Sequence, residues 1–196
     1  MTISYLYGHP WSEWTRDERY FCSVLYSQAV NNVQEFACWL IESAQLSCSK
    51  GGAWDLGFEV CFYRDYLWQL GESAKGKGFP PKRTFDLCLF GENRLIVVEA
   101  KVFEKFSPKQ NQEFVLDKKR IRELPKLGHL RTVVVALASS RYFSNAEKYG
   151  WPETLAGFDG LVSWAQAAEK YGHPDLQRAD SLYKLKSGAF CADDRA

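Results

Sequence analysis

Residues 83–106 read RTFDLCLFGENRLIVVEAKVFEKF. Two apolar runs, Thr84 to Phe90 and Leu95 to Lys101, are joined by Gly91-Glu92-Asn93-Arg94. A short Gly- and Asn-containing connection between such runs predicts an antiparallel hairpin. Within them stand Asp86, Glu99 and Lys101. A buried ion is costly unless it is paired or bound to a metal, so these three charges need an explanation.

Residues i and i+2 of a strand share a face, so Glu99 and Lys101 project together. If residues 91–94 form the loop, Phe90 faces Leu95, and counting back sets Asp86 opposite Glu99. Side chains opposed in this way have Cβ atoms about 4.5–5.5 Å apart. Two carboxylates that close repel each other and resist desolvation. A divalent cation relieves both problems, and oxygen-only donors favour Mg²⁺ or Mn²⁺ over zinc. The Ala100 carbonyl offers one more oxygen. Lys101 beside such an ion suits orienting a water or meeting charge that develops on a phosphate. The combination matches metal-assisted phosphodiester hydrolysis. The plainer alternative is an Asp86–Lys101 ion pair at a strand end, which leaves Glu99 without a role.

Working outward, Thr15 with Glu18 three residues later predicts a capping box opening a first helix. A second helix is expected through VQEFACWLIESA, continuous with the first or broken near Asn31-Asn32. Ser49 to Trp54 reads as a loop, Phe58 to Tyr63 as a strand, and Gly71 to Arg83 as a basic, flexible loop. Ser107-Pro108 with Gln110 predicts a capped helix ending near Leu124. LRTVVVALAS is a buried strand, and GFDGLVSW is another, after which Ser163 caps a helix that stops at Gly172. Residues 1–14 look irregular. The order ααβββαββα predicts one α/β layered domain over the 196 residues, with its core over about 15–172 and a weakly ordered tail over 179–196.

A lone Asp on one strand, a short hairpin and then VVEAK resemble the D…E-x-K signature of the PD-(D/E)xK nuclease superfamily. That resemblance implies a restriction endonuclease-like three-layer core, with a central mixed β-sheet flanked by helices. It also implies Mg²⁺- or Mn²⁺-dependent hydrolysis of nucleic acid, DNA ahead of RNA, with Asp86, Glu99 and the Ala100 carbonyl on the metal and Lys101 assisting water. Some members place a Glu on the first helix; Glu18 is the best match and Glu35 the second. Glu18 has an equally complete explanation as a capping residue. Many recB-like members carry a Gln on the helix after E-x-K, and both Gln110 and Gln112 are available. Gln110 falls on the face of Phe114, Ile121 and Leu124, but it too has a capping explanation, through Ser107. Two departures from the pattern are Phe85 in place of Pro and the missing Tyr after the Gln. Glu59 is a further candidate ligand, with a solvent-facing strand position as its alternative. The alternative function is a catalytically inactive nuclease fold serving as a nucleic-acid-binding or assembly module.

A net charge of +1 names no partner by itself. Basic residues do gather around the motif at Lys75, Lys77, Lys82, Arg83, Lys105, Lys109, Lys118, Lys119, Arg120 and Arg122, where they could meet a phosphate backbone. Trp11 and Trp14 could stack on bases. His9, His129 and His173 lie in unlike contexts and read as loop residues rather than ligands. Six cysteines without a C-x-x-C pair read as reduced core residues of a cytoplasmic protein. No secretory leader and no membrane span are expected. A chain this small cutting both strands of a duplex would work as a homodimer. A Gly-rich phosphate loop and G-x-S-x-G are both missing, so nucleotide hydrolysis and α/β-hydrolase chemistry have no support.

Overall fold

Strands β1 (Trp54–Val60), β2 (Phe85–Gly91), β3 (Arg94–Ala100), β4 (Arg131–Ala138) and β5 (Gly160–Ser163) form one mixed sheet in that spatial order. The first three pair antiparallel, whereas β3–β4 and β4–β5 are parallel. The computed structural model describes residues 11–13, 15–47, 51–150 and 152–183. Expectations for residues 1–10, for the Trp11 and Trp14 side chains and for the tail past 183 lie outside these residues.

Helices cover both faces, which is why β3 and β4 are apolar along almost their whole length. One core is closed by α1 (Glu18–Ala29), α2 (Val33–Ser43), α6 (Trp164–Tyr171) and α7 (Pro174–Ser181), through Phe21, Phe36, Leu40, Trp164 and Leu176. The other is closed by α3 (Phe62–Gln69) and α4 (Pro108–Glu123), through Tyr63, Leu67, Phe114 and Ile121. The remaining helix, α5 (Ser140–Tyr149), packs Tyr142 against Phe106 and Tyr183. The expected three-layer α/β core with a mixed sheet flanked by helices is therefore present. Cys22 and Cys88 are buried within it, and burial pushes both thiols up. Among the described residues no helix is long and apolar enough to cross a membrane.

Several local expectations change. Gly91 pairs with Arg94, so the hairpin turn is the two residues Glu92-Asn93 and not the whole of 91–94. Both loops share one centre, so the register survives and Phe90 still faces Leu95. Gly91 also has a packing reason: a Cβ there would sit 2.9 Å from the ring of Trp54, its cross-strand partner.

The first helix is capped by Asp17, whose side chain accepts from Arg19 N; Thr15 instead accepts from Asp17 N. A 3₁₀ turn over Val30–Asn32 separates α1 from α2. The strand expected at Phe58 to Tyr63 begins at Trp54 and stops at Val60. Beyond it, Phe62, Tyr63 and Leu67 turn inward at helical spacing as α3.

Helices α5 and α7 were not expected either. The tail is helical to Ser181, with Ala179 and Tyr183 buried. Asp180 explains that order. Its Oδ1 accepts from Ser140 N at 2.7 Å and from Ala165 N at 3.1 Å, and its Oδ2 accepts from Ser140 Oγ at 2.7 Å. One carboxylate thus satisfies the exposed N–H groups at the starts of both α5 and α6. Asp180→Ala should lower the unfolding free energy by about 2 kcal/mol, the upper range for a lost helix cap. Urea denaturation followed by circular dichroism measures this.

Candidate active site

The β2–β3 ladder ends at Leu87↔Val98. Continuing that register by one residue sets Asp86 against Glu99. At this point a side chain takes over from the backbone, since Ala100 N donates to Asp86 Oδ2 at 2.7 Å. The pairing of β3 with β4 continues past it, from Glu99↔Ala136 to Ala100↔Leu137. Just beyond the strand, Lys101 N donates to Leu137 O at 2.8 Å, and Lys101 O accepts from Trp164 Nε1 at 3.0 Å.

The Lys101 ammonium donates to Glu18 Oε1 and to Ala100 O, both at 2.8 Å, and lies 3.9 Å from Glu99 Oε1. It also stands over the Phe106 ring. The plainer alternative, an Asp86–Lys101 ion pair, is not what forms: Lys101 pairs with Glu18 and, at longer range, with Glu99. Because Asp17 rather than Thr15 caps α1, the Glu18 side chain is released from capping and faces the lysine.

Glu99 is 7% exposed, and its Oε2 is buried with no hydrogen-bond partner among the described residues. Burial pushes its carboxyl up to about 8, with the Asp86 charge adding to the effect and Lys101 and Arg83 opposing it. Burial also raises Asp86, against the Ala100 N–H and the Lys101 charge. It raises Glu18 in the same way, against Lys101. Burial alone would lower Lys101, but the charges of Glu18, Glu99 and Asp86 hold it above its usual value. Three carboxylates against one ammonium leave two negative charges when all are ionised.

The other expected residues stand further out. Glu59 adopts φ 54, and here the strand loses its alternation: Phe58 packs on the first core and Val60 on the second. Its carboxylate pairs with Arg19 of α1 at 3.5 Å, and burial raises it against that charge, with Asp86 adding to the rise. Glu35 is on the surface, paired with Lys170, and Asn32 caps its helix. Gln110 completes the Ser107 capping box, its Oε1 accepting from Ser107 N at 3.0 Å, while Gln112 is exposed. His173 caps α7 and accepts from Asp175 N.

Sequence reading missed Asp117, which is 1% exposed on α4 and accepts from Tyr63 Oη and Arg83 Nε. The signal was a charge spaced with Phe114 and Ile121 on the inward face. This carboxylate fixes Arg83, whose guanidinium lies over the rings of Phe85 and Phe114 at the start of β2. Much of the basic run is likewise paired: Lys77 with Glu72, Lys118 with Asp159, and Arg120 with Glu113. Lys75, Lys82, Lys109 and Arg122 are exposed.

Among the described residues no three His, Cys, Asp or Glu side chains gather closely enough to enclose a metal by themselves. The oxygen donors in the cluster are the Asp86 and Glu99 carboxylates, whose charges act on each other, and the Ala100 carbonyl, which accepts from Lys101 Nζ and keeps a second lone pair. That set suits Mg²⁺, which is commonly held by one or two carboxylates and completes its shell with water and substrate oxygens. The orphaned Glu99 Oε2 and the surplus negative charge fit such an ion. No protein-family model matches the chain, and no curated protein matches it.

A carboxyl whose folded pKa lies above its unfolded one binds more protons when folded. Its stabilising effect is complete below the unfolded value and is lost as pH rises through the folded value. For Glu99 that window runs from 4.5 to about 8. In chelator, the protein should lose stability across this window, and Glu99→Gln should flatten the loss. Thermal denaturation of both proteins at the two ends of the window checks this, and an equally steep loss in the variant would contradict it.

Proposed function

We propose that this chain is a divalent-cation-dependent nuclease of the PD-(D/E)xK type, hydrolysing phosphodiester bonds in DNA ahead of RNA. The observation that carries the reading is the buried cluster in which the Asp86 charge acts on Glu99 and Lys101 Nζ lies 3.9 Å from Glu99 Oε1, with one buried Glu99 oxygen left without a partner among the described residues. The preference for DNA comes from the superfamily resemblance alone.

Each group in the cluster has a task on this reading. Asp86, anchored by the Ala100 N–H, and Glu99, fixed on a central strand, would hold Mg²⁺ or Mn²⁺ together with the Ala100 carbonyl. The ion when bound supplies Lewis-acid polarisation of a phosphate oxygen. Lys101 donates to the attacking water or to the phosphate as charge builds on it. Glu18 keeps that ammonium charged and aimed, and Phe106 covers it on one side. The exposed Lys75, Lys82, Lys109 and Arg122 are available for phosphate contacts along a strand.

The reading is tested by cleavage of supercoiled, linear and single-stranded DNA in Mg²⁺ and in Mn²⁺. Asp86→Asn, Glu99→Gln and Lys101→Ala should each slow the wild-type rate by about 10²–10⁴-fold, the usual range for a positioned proton-transfer or charge-stabilising group. Equal activity in all four proteins would point to a contaminant. A folded wild type that binds nucleic acid without cutting it would leave the binding-module reading in its place.

A further inference from the structure

We infer that Trp164 is the positioning residue for Lys101, and that α6 and α7 therefore belong to the active site at one remove. This inference rests on the reading of Lys101 as the group that addresses water or phosphate.

Lys101 is one residue past the end of β3, where a chain normally gains freedom. Here both of its backbone groups are fixed. The N–H is held by Leu137 O, and the carbonyl by Trp164 Nε1. Trp164 is fully buried and meets the Phe21 ring of α1 edge-on. It therefore bridges the lysine backbone and the helix that carries Glu18. A buried indole N–H needs an acceptor, so the ring orientation and the Lys101 carbonyl fix each other.

Trp164 is itself held at the first position of α6. Ser163 and Gln166 form a reciprocal capping box around it, and Asp180 of α7 accepts from the next residue, Ala165 N. The path runs from Asp180 to the start of α6, to the indole, to the lysine backbone and so to its ammonium. None of these groups reaches the reacting atoms. Their effect is to restrict where Nζ can go, and a displacement of about 1 Å at such a group can cost about a hundredfold in rate.

The test is Trp164→Phe, which keeps the ring bulk and deletes the N–H donor. Two readouts are taken. In the metal-free protein, amine-directed labelling of Lys101 followed by peptide mass spectrometry should speed up severalfold relative to wild type, while other lysines are unchanged. In the cleavage assay, kcat should fall by about 10–100-fold with KM little altered. Trp164→His, which retains a ring N–H, should recover part of both.

Unchanged labelling and unchanged kcat would overturn the inference while leaving the nuclease reading intact. If the wild type cuts nothing, the nuclease reading falls, and labelling alone still decides whether Trp164 holds Lys101. Should Trp164→Phe fail to fold, Gln166→Ala on the exposed side of the cap takes its place. Faster Lys101 labelling in that variant supports the inference, and wild-type labelling overturns it.

Discussion

The contact on which the rest depends is that between the Asp86 carboxylate and the Ala100 N–H, 2.7 Å long, at the point where β2 and β3 stop pairing through their backbones. A carboxylate standing in for a carbonyl satisfies the orphaned N–H and lets the two strands separate without leaving a buried donor. It also fixes a negative charge one step from Glu99. Everything else in the cluster answers to that placement.

Charge balance sets the next constraint. Glu18, Asp86 and Glu99 face one ammonium, and even with the Glu59–Arg19 pair included the surplus stays at two negative charges. Isolated carboxylates in such surroundings would neutralise by taking up protons, and all three are indeed pushed upward. Lys101 lessens the burden but cannot remove it, because one ammonium faces three carboxylates; two of its three donors go to Glu18 and the Ala100 carbonyl, which leaves one for a water or a phosphate. The apolar sheet around them keeps the groups together: Leu87, Val97 and Val98 are almost entirely buried. Packed interiors give little way, so the carboxylates cannot relax apart.

The hairpin was legible in the sequence because a strand has a period of two and the turn fixes the count. A two-residue turn at Glu92-Asn93 and a four-residue loop over 91–94 share one centre, so both give the same register. Residue types alone did not separate the β1 strand from α3: Phe62, Tyr63 and Tyr66 have β propensity but fold as helix because their spacing suits the second core. Helix α7 was missed for a different reason. It is weakly apolar and is ordered by Asp180 contacts with Ser140 and Ala165, which are distant in sequence. The role of Glu18 could be decided only in three dimensions, because a capping box at Thr15 and a contact with Lys101 make the same demand on the sequence. Gln110 went the other way, with its side chain taken by the cap.

The most direct measurement of the account is calorimetric titration of the metal-free protein with Mn²⁺ at neutral pH, in two buffers of different ionisation enthalpy. Binding to ionised carboxylates must expel the proton held on Glu99, so the wild type should bind with net proton release, and Asp86→Asn and Glu99→Gln should abolish both the binding and the release. Absence of binding in the wild type, or binding that survives both substitutions, would contradict a cation seat at Asp86 and Glu99.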